Sequence, residues 1–365
     1  MQRAIASMAV LLVLLAVLSA AGAVRGVGAT GGQGAEAGVG TNRPSLIRFE
    51  QELLPQWLAQ HAIGPLGQYR FAVSEKEPHF YGITDVVHLL HFVNQLQNWT
   101  AEQRAHVADQ IQGFQNSTGF YRLAGLETTS CGYQPWHASA YGASALALLD
   151  TRPRYNNTLY AALARNSSTW APTFDALYNV DPGLGCGSIH DCAHKIVAIP
   201  AVLTAESGLT VYGDFLTWWN NWLFAKLDPV TGALCPAAQK ALHGEGVCLG
   251  SGAAAHFMLN FENRYPWPYP NATRSFALSQ QLASGLWSPP TSWLNVDGVF
   301  LATRSNSSYL DQDAAHWPAV RKACTTFVAA AAALLNNATL VLGELSLIST
   351  HSLPGWFRQP LVSPL

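Results

Sequence analysis

Charged residues are scarce in this chain, and the two signs nearly cancel. Lysine, arginine, aspartate and glutamate make up 12% of its 365 residues, and the formal net charge is −2. Proteins that bind nucleic acid or an anionic membrane surface carry an excess of basic side chains. The composition therefore argues against both of these partners.

Several familiar catalytic motifs are absent. The chain contains neither a G-x-S-x-G nucleophile elbow nor a phosphate-binding loop, and Ser139 in WHASAYG lacks the elbow glycines. HExxH is also missing. His190 and His194 are spaced to share one helix face, which makes them weak candidates for a zinc site without the glutamate. No cofactor is predicted.

No segment shows a convincing series of alternating β-strands, whereas helical periodicity recurs along the whole chain. Thr100 and Gln103 resemble a capping box, and Thr84 or Asp85 is a candidate cap for a helix that follows it. The sequence predicts an all-α fold. Its main helical segments are Leu46–His61, Phe80–Leu96, Ala101–Phe114, Pro135–Leu149, Asn156–Arg165, Thr169–Val180, Ile189–Ala205, Asp214–Leu227, Gly250–Phe261, Thr273–Gly285, Thr291–Arg304 and His316–Asn337.

The N-terminus has the features of a secretory signal peptide. Arg3 precedes the apolar stretch Met8–Ala20, and Ala21 and Ala23 form a small-residue cleavage site. We predict a signal peptide over 1–23, a flexible Gly/Ala-rich linker over 24–43, one helical domain over 44–350 and a C-terminal tail over 351–365. Polar residues interrupt the late Ala/Leu segment, so no membrane span is predicted after signal removal.

Sequons and cysteines agree with a secreted or secretory-lumen location. Asparagine-linked glycans attach at N-x-S/T sequons on the protein surface. Six cysteines suit an oxidising compartment, and they allow fifteen pairings. The seven predicted glycosylation sites are Asn98, Asn116, Asn156, Asn166, Asn271, Asn306 and Asn337.

Local spacing favours two short-range disulfides, Cys186–Cys192 and Cys235–Cys248. That pairing leaves Cys131 and Cys324 to join an early segment to the last long helix. The alternative is a zinc site that uses cysteines together with His190 and His194.

Polar marker residues recur near the starts of the more apolar helices. They are spaced by 52, 54, 65 and 41 residues, a period near fifty that is typical of stacked helical hairpins. Five to six pairs, with apolar inner and polar outer helices, favour a closed (α/α)5–6 toroid over an open solenoid. The markers are Asp85, His137, Asp191, His256 and Asp297.

The turns that end the outer helices carry a family resemblance. QNSTGFYR, DPVTGALC and LASGLWSP resemble the Q-x-x-x-G-x-F/W turn of the terpenoid-cyclase and protein-prenyltransferase toroids. The resemblance implies the toroid architecture. The cyclases' DxDD acid motif is missing, and Asp311–Trp317 does not fit it. Many secreted glycoside hydrolases and polysaccharide lyases use the same architecture, so the fold does not choose the activity.

Two chemistries suit the residues that would converge at the mouth of such a ring. Hydrolysis of a glycoside needs two carboxylates, for which Asp85 and Asp297 are candidates. Elimination needs a base and an acid near a sugar carboxylate, for which His137, Tyr141 and His256 are candidates. The predicted substrate-binding residues are Tyr81, His88, Trp136, Asp191, Trp287, Trp293, Asn295 and Arg304.

The sequence therefore predicts a secreted carbohydrate-active enzyme that binds a glycan and cleaves it by hydrolysis or elimination. Two alternatives stay open. One is a non-catalytic glycan-binding or structural toroid, in which each aspartate caps a helix and each histidine is a satisfied core group. The other is a terpenoid-cyclase-like toroid.

Overall fold

The computed structural model describes most of the predicted helical domain. The described residues are 51–52, 54–71, 75–121, 134–180, 189–208, 210–234, 252–257, 267–284, 286–288 and 294–304. The predicted signal peptide, linker and C-terminal tail lie outside them. So do Cys131, Cys186, Cys235, Cys248, Cys324, Trp293, Asn306 and Asn337, together with the side chains of His190, Asp191 and Arg304.

The described part of the chain is helical and has no named strand, which confirms the all-α prediction. A 3₁₀ turn spans Leu96–Asn98, and residues 252–257 form a short helical run. The α-helices are α1 Leu54–His61, α2 Phe80–Phe92, α3 Ala101–Gly113, α4 Gln134–Leu148, α5 Thr158–Arg165, α6 Ser167–Tyr178, α7 Ile189–Ser207, α8 Gly213–Lys226, α9 Pro270–Ser279 and α10 Leu294–Arg304.

Helices buried on all sides alternate along the chain with helices buried on one stripe. The first kind comprises α2, α4, α7, the run 252–257 and α10. The second kind lies between them, and α3 is an example: it buries Val107, Ala108 and Ile111 and exposes most of its other residues. We refer to the first kind as inner helices and to the second kind as outer helices.

One of the two predicted helix caps is confirmed and the other is wrong. Thr100 Oγ1 accepts from the Gln103 amide at 3.2 Å, and the Gln103 side chain accepts from the Thr100 amide at 2.8 Å, which confirms the capping box. The predicted cap at Thr84 or Asp85 is wrong. Helix α2 begins one turn earlier, at Phe80, because the His79 side chain accepts from the Tyr81 amide.

Three of the described turns, those after α1, α3 and α8, place a glycine with positive φ against a neighbouring outer helix. Gly67, Gly119 and Gly232 have φ of 90°, 90° and 63°. A Cβ on Gly119 would lie 2.5 Å from the Cα of Asn157, the N-cap of α5, and one on Gly232 would lie 2.8 Å from the amide nitrogen of Thr273 in α9. Only glycine permits both this backbone conformation and this close approach.

The side chain of Gln115 ties the first of these turns to the next segment of chain. Its Nε2 donates to the carbonyls of Gly119 at 3.0 Å and Tyr155 at 2.7 Å, and its Oε1 accepts from the Tyr155 amide at 2.9 Å. The turn also recurs. Asn116 N–H donates to Phe120 O at 2.8 Å, and Leu282 N–H donates to Leu286 O at the same distance.

A second packing feature recurs at the residue two positions after the turn glycine. The Tyr121 ring packs so closely on Gly142 of α4 that a Cβ there would overlap it. The Trp287 ring packs on Gly298 of α10 in the same way. In the first unit, Gly82 of α2 meets the backbone of Tyr69 and Arg70. A glycine on each of these three inner helices therefore receives the segment that leads away from the preceding turn.

The buried apolar side chains form two hydrophobic cores, and each core contains inner helices. The first joins α1, α2 and α3 with α9 and α10, and the second surrounds α5 to α8. Helix α4 and the run 252–257 contribute side chains to both cores. Among the described residues, no helix combines the length and hydropathy that crossing a membrane requires.

Candidate functional site

Helices α2 and α4 lie side by side and bring polar side chains into direct contact. Tyr81 Oη lies 3.0 Å from His137 Nδ1, and about two helical turns further along, His88 Nε2 lies 3.2 Å from Ser144 Oγ. Both pairs are 56 residues apart in sequence, so the two helices run parallel at one constant offset. Tyr141 stacks on His137 with ring centroids 4.9 Å apart, which confirms that these two residues share a helix face.

The contacts continue from α4 through the next inner helices. The His137 ring lies 5.3 Å from His194 of α7, and His194 lies 4.5 Å from His256. His256 Nε2 in turn lies 3.9 Å from Asp297 Oδ1 of α10. These contacts therefore link side chains from α2, α4, α7, the run 252–257 and α10. We use the name polar row for the six residues Tyr81, His137, Tyr141, His194, His256 and Asp297.

The polar row is buried, and burial shifts the pKa values of ionisable side chains in it and beside it. Its members are at most 2% exposed, and Asp85 and His88 beside it are 3% exposed. Burial, and then the negative charge of Asp85, raise the pKa of Tyr81 well above its usual value. Burial also raises the pKa of Asp297 well above its usual value and lowers the pKa of His88 to about 3. At neutral pH the Tyr81 phenol and the His88 imidazole are therefore uncharged.

The structure thus brings together most of the residues that the sequence singled out. His137, Tyr141, His256 and Asp297 are joined through His194. On α2, Asp85 lies near Tyr81, and the His88 ring lies 4.6 Å from the Tyr141 ring. Trp136 lies next to His137 in the chain and stacks on Tyr160 with centroids 5.4 Å apart. The Lys195 ammonium lies 5.0 Å from the centre of the Trp136 ring, a contact that no motif predicted.

Two predicted binding residues make contacts that hold the fold. Trp287 is fully buried and donates its indole N–H to the carbonyl of Ala277 at 2.7 Å. Asn295 is also fully buried, and its Oδ1 accepts from the amides of Trp287 at 2.7 Å and Ser288 at 2.9 Å. The function proposed below does not use these two side chains.

Metal and thiol chemistry have few candidates in the described part of the chain. No group of three or more histidine, cysteine, aspartate or glutamate side chains there is placed to hold a metal ion. Cys192 of α7 is buried and is a free thiol among the described residues. Its predicted disulfide partner, Cys186, lies outside them, so that pairing stays a prediction.

The described sequons lie at accessible positions. Asn98, Asn156, Asn166 and Asn271 are exposed, and Asn116 is half-buried. Exposure of the asparagine is what an attached glycan requires in the folded protein. Glycosylation at all seven sites stays a prediction.

A second buried polar group lies outside the polar row. Glu206, near the end of α7, is 6% exposed, and its Oε1 accepts from the Asn157 amide at 2.8 Å. The phenols of Tyr121 and Tyr160 lie near enough for its charge to raise their pKa values. Burial raises the pKa of Glu206 to about 7. The only signal for this site in the sequence is an acidic residue at the end of an apolar helix.

Glu206 should make the protein more stable at acidic than at neutral pH. A carboxyl whose pKa is higher in the folded state favours folding while it is protonated, so stability falls as pH rises from about 4.5 to about 7. The shift corresponds to roughly 3 kcal/mol. We expect Glu206→Gln, which keeps an acceptor for Asn157, to remove most of this loss in urea unfolding at pH 5 and pH 8. Gln at exposed Glu102 is the control, and an equal pH dependence in wild type and Glu206→Gln would contradict the assignment.

Comparisons of the chain with protein-family models, curated proteins and solved structures found no match, so its function has to be argued from the geometry above.

Proposed function

We propose that this protein is a secreted carbohydrate-active enzyme that cleaves a glycan by general acid–base chemistry at the polar row. The observation that carries the proposal is the 3.0 Å contact between the phenol of Tyr81 and the imidazole of His137, at one end of a series of contacting polar side chains. Supporting it, the first hydrophobic core joins the first described helices to the last, as a closed α/α toroid would.

The Tyr81–His137 pair suits elimination. In this proposal His137 donates its Nδ1–H to Tyr81 Oη, and in this tautomer Nε2 is the basic nitrogen that accepts a proton from a sugar carbon. Because burial keeps the Tyr81 phenol protonated at neutral pH, its O–H is available to protonate the departing glycosidic oxygen. Tyr141 stacks on the imidazole and fixes its plane.

The other end of the polar row offers hydrogen-bond donors to a sugar carboxylate. Elimination next to a carboxylate requires that its charge be neutralised as the carbanion develops. Burial raises the pKa of Asp297 well above its usual value and so favours its protonated form, and His256 Nε2 lies 3.9 Å from Asp297 Oδ1. In this proposal both side chains donate hydrogen bonds to the sugar carboxylate.

Hydrolysis by two carboxylates is the weaker of the two chemistries here. It needs one ionised carboxylate opposite a protonated one across an open bond. The direct contacts of the polar row join phenols to imidazoles, and its carboxyl group, Asp297, contacts a histidine. Elimination therefore accounts for more of the described contacts.

A panel of neutral and uronate-containing glycans, incubated with the purified protein, tests the proposal. Elimination creates both a new reducing end and the ultraviolet absorbance of an unsaturated sugar, whereas hydrolysis creates the reducing end alone. We expect both signals on a uronate-containing glycan. Reducing ends without absorbance would support hydrolysis, and neither signal on any glycan would reject the enzyme.

One observation favours a second candidate, a non-catalytic toroid with a polar interior. Every member of the polar row is at most 2% exposed, as expected for side chains that satisfy one another inside a core. In that case the glycan panel gives no cleavage, and Tyr81→Phe lowers stability without changing any activity.

A further inference from the structure

Helices α6 and α8 run parallel and build an aromatic patch on the outside of the domain. Trp170 lies 5.3 Å from Trp218 between ring centroids, and Trp218 lies 6.2 Å from Trp222 with the planes 24° apart. All three indoles are half-buried, and they pack over the buried ring of Phe174 or Phe215. Large half-exposed aromatic surfaces of this kind mark binding sites.

Two of the three indole N–H groups donate hydrogen bonds within the protein. Trp170 donates its N–H to the carbonyl of Leu163 at 2.9 Å, and Trp222 donates to Asp175 Oδ1 at 3.0 Å. Among the described residues, the indole N–H of Trp218 has no hydrogen-bond acceptor. The patch therefore offers two ring faces and one donor to a molecule outside the fold.

A sequon lies directly beside this patch. Asn166 precedes α6, is exposed, and makes no side-chain cap on the helix. Its Oδ1 accepts from Ser168 Oγ, the sequon hydroxyl, at 2.8 Å, which leaves Nδ2, the atom that carries a glycan, without a hydrogen bond in the described structure. Trp170 follows one helical turn later.

We propose that the asparagine-linked glycan of Asn166 folds back over Trp170 and Trp218 and covers the aromatic patch. The first sugar is tethered within about one helical turn of the Trp170 ring, so its apolar face can stack there without the entropy loss of free association. The oxygens of its ring substituents supply the acceptor for the Trp218 N–H. The inference depends on the secretory part of the proposed function, because glycans are attached only there.

Substitutions at Ser168 test this on the full chain secreted from eukaryotic cells. Ser168→Ala destroys the sequon, whereas Ser168→Thr preserves it and is the matched control. We expect Ser168→Ala to lower Tm by about 2 °C and to increase acrylamide quenching of tryptophan fluorescence, with Ser168→Thr unchanged. Endoglycosidase trimming to a single N-acetylglucosamine should leave both measurements close to wild type.

A thermodynamic cycle links the effect to the patch. Loss of the glycan should lower Tm in the wild-type background and leave it unchanged in Trp218→Ala. Equal Tm and quenching in Ser168→Ala and Ser168→Thr, or an Asn166 without glycan in mass spectrometry while other sequons are occupied, would overturn this inference alone. Vacancy of every sequon would instead reject secretion. Binding of an added oligosaccharide only by Ser168→Ala would support the patch as a sugar site that the tethered glycan normally fills.

Discussion

Replacing Tyr81 with phenylalanine is expected to lower the rate of glycan cleavage by about 10²–10⁴-fold, the usual contribution of a positioned general acid. The substitution removes one oxygen and keeps the ring that packs against His137 and Tyr141. The measurement is kcat on the glycan that gives the unsaturated product, together with the circular dichroism spectrum and Tm of the variant.

Tyr121→Phe is the matched control for this prediction. Tyr121 is also a buried tyrosine, but it packs on Gly142 and lies near Glu206 rather than in the polar row. We expect its activity to be within a few-fold of wild type. Equal activities of the two variants would show that the Tyr81 phenol is not the acid.

Replacing Gly119 with alanine is expected to cost about 3 kcal/mol or more of unfolding free energy. The residue has φ +90°, and a Cβ would lie 2.5 Å from Asn157 Cα and 2.6 Å from Asn157 N. Both of those atoms are backbone, so relief requires the turn to separate from the start of α5. Backbone strain and steric overlap then add.

Gly208→Ala separates the two effects. Gly208 also has a positive φ, +76°, but no atom lies within 4 Å of the position of its Cβ. We expect it to cost about 1 kcal/mol, the penalty for a left-handed conformation alone. Urea unfolding of both variants measures the difference. Equal losses would contradict the view that close packing of the turn on α5 stabilises the repeat.

The parts of the fold that could be predicted depend on residues that lie close together in the sequence. The Thr100–Gln103 capping box and the break between α5 and α6 near Asn166 depend on residues a few positions apart, and both are seen in the structure. The segment Phe80–Leu96 has the observed start of α2, but the predicted cap is wrong because Thr84 and Asp85 lie within a helix whose N-cap is His79. Threonine and aspartate are common caps, and histidine is not among the preferred ones.

The candidate site could be predicted only as a set of residue types. Repeat spacing pointed to Asp191 as the marker of α7, yet His194 is the residue of that helix that contacts His137 and His256. His194 lies three positions after Asp191, and the rotation of α7 about its axis brings His194 against α4. That rotation is set by the packing of the apolar residues that follow, such as Ile196 and Val197.

The sequence by itself determined the helical class, the alternation of inner and outer helices and the glycine turns, because helical periodicity, caps and positive φ are properties of short segments. Only the tertiary structure decided that α2 and α4 pair at an offset of 56 residues, that Tyr81 contacts His137, and that Glu206 is buried against Asn157. Those contacts join residues that are far apart in the chain, and they arise from the packing of whole helices. Burial by that packing then shifts the pKa values of Tyr81, Asp297 and Glu206.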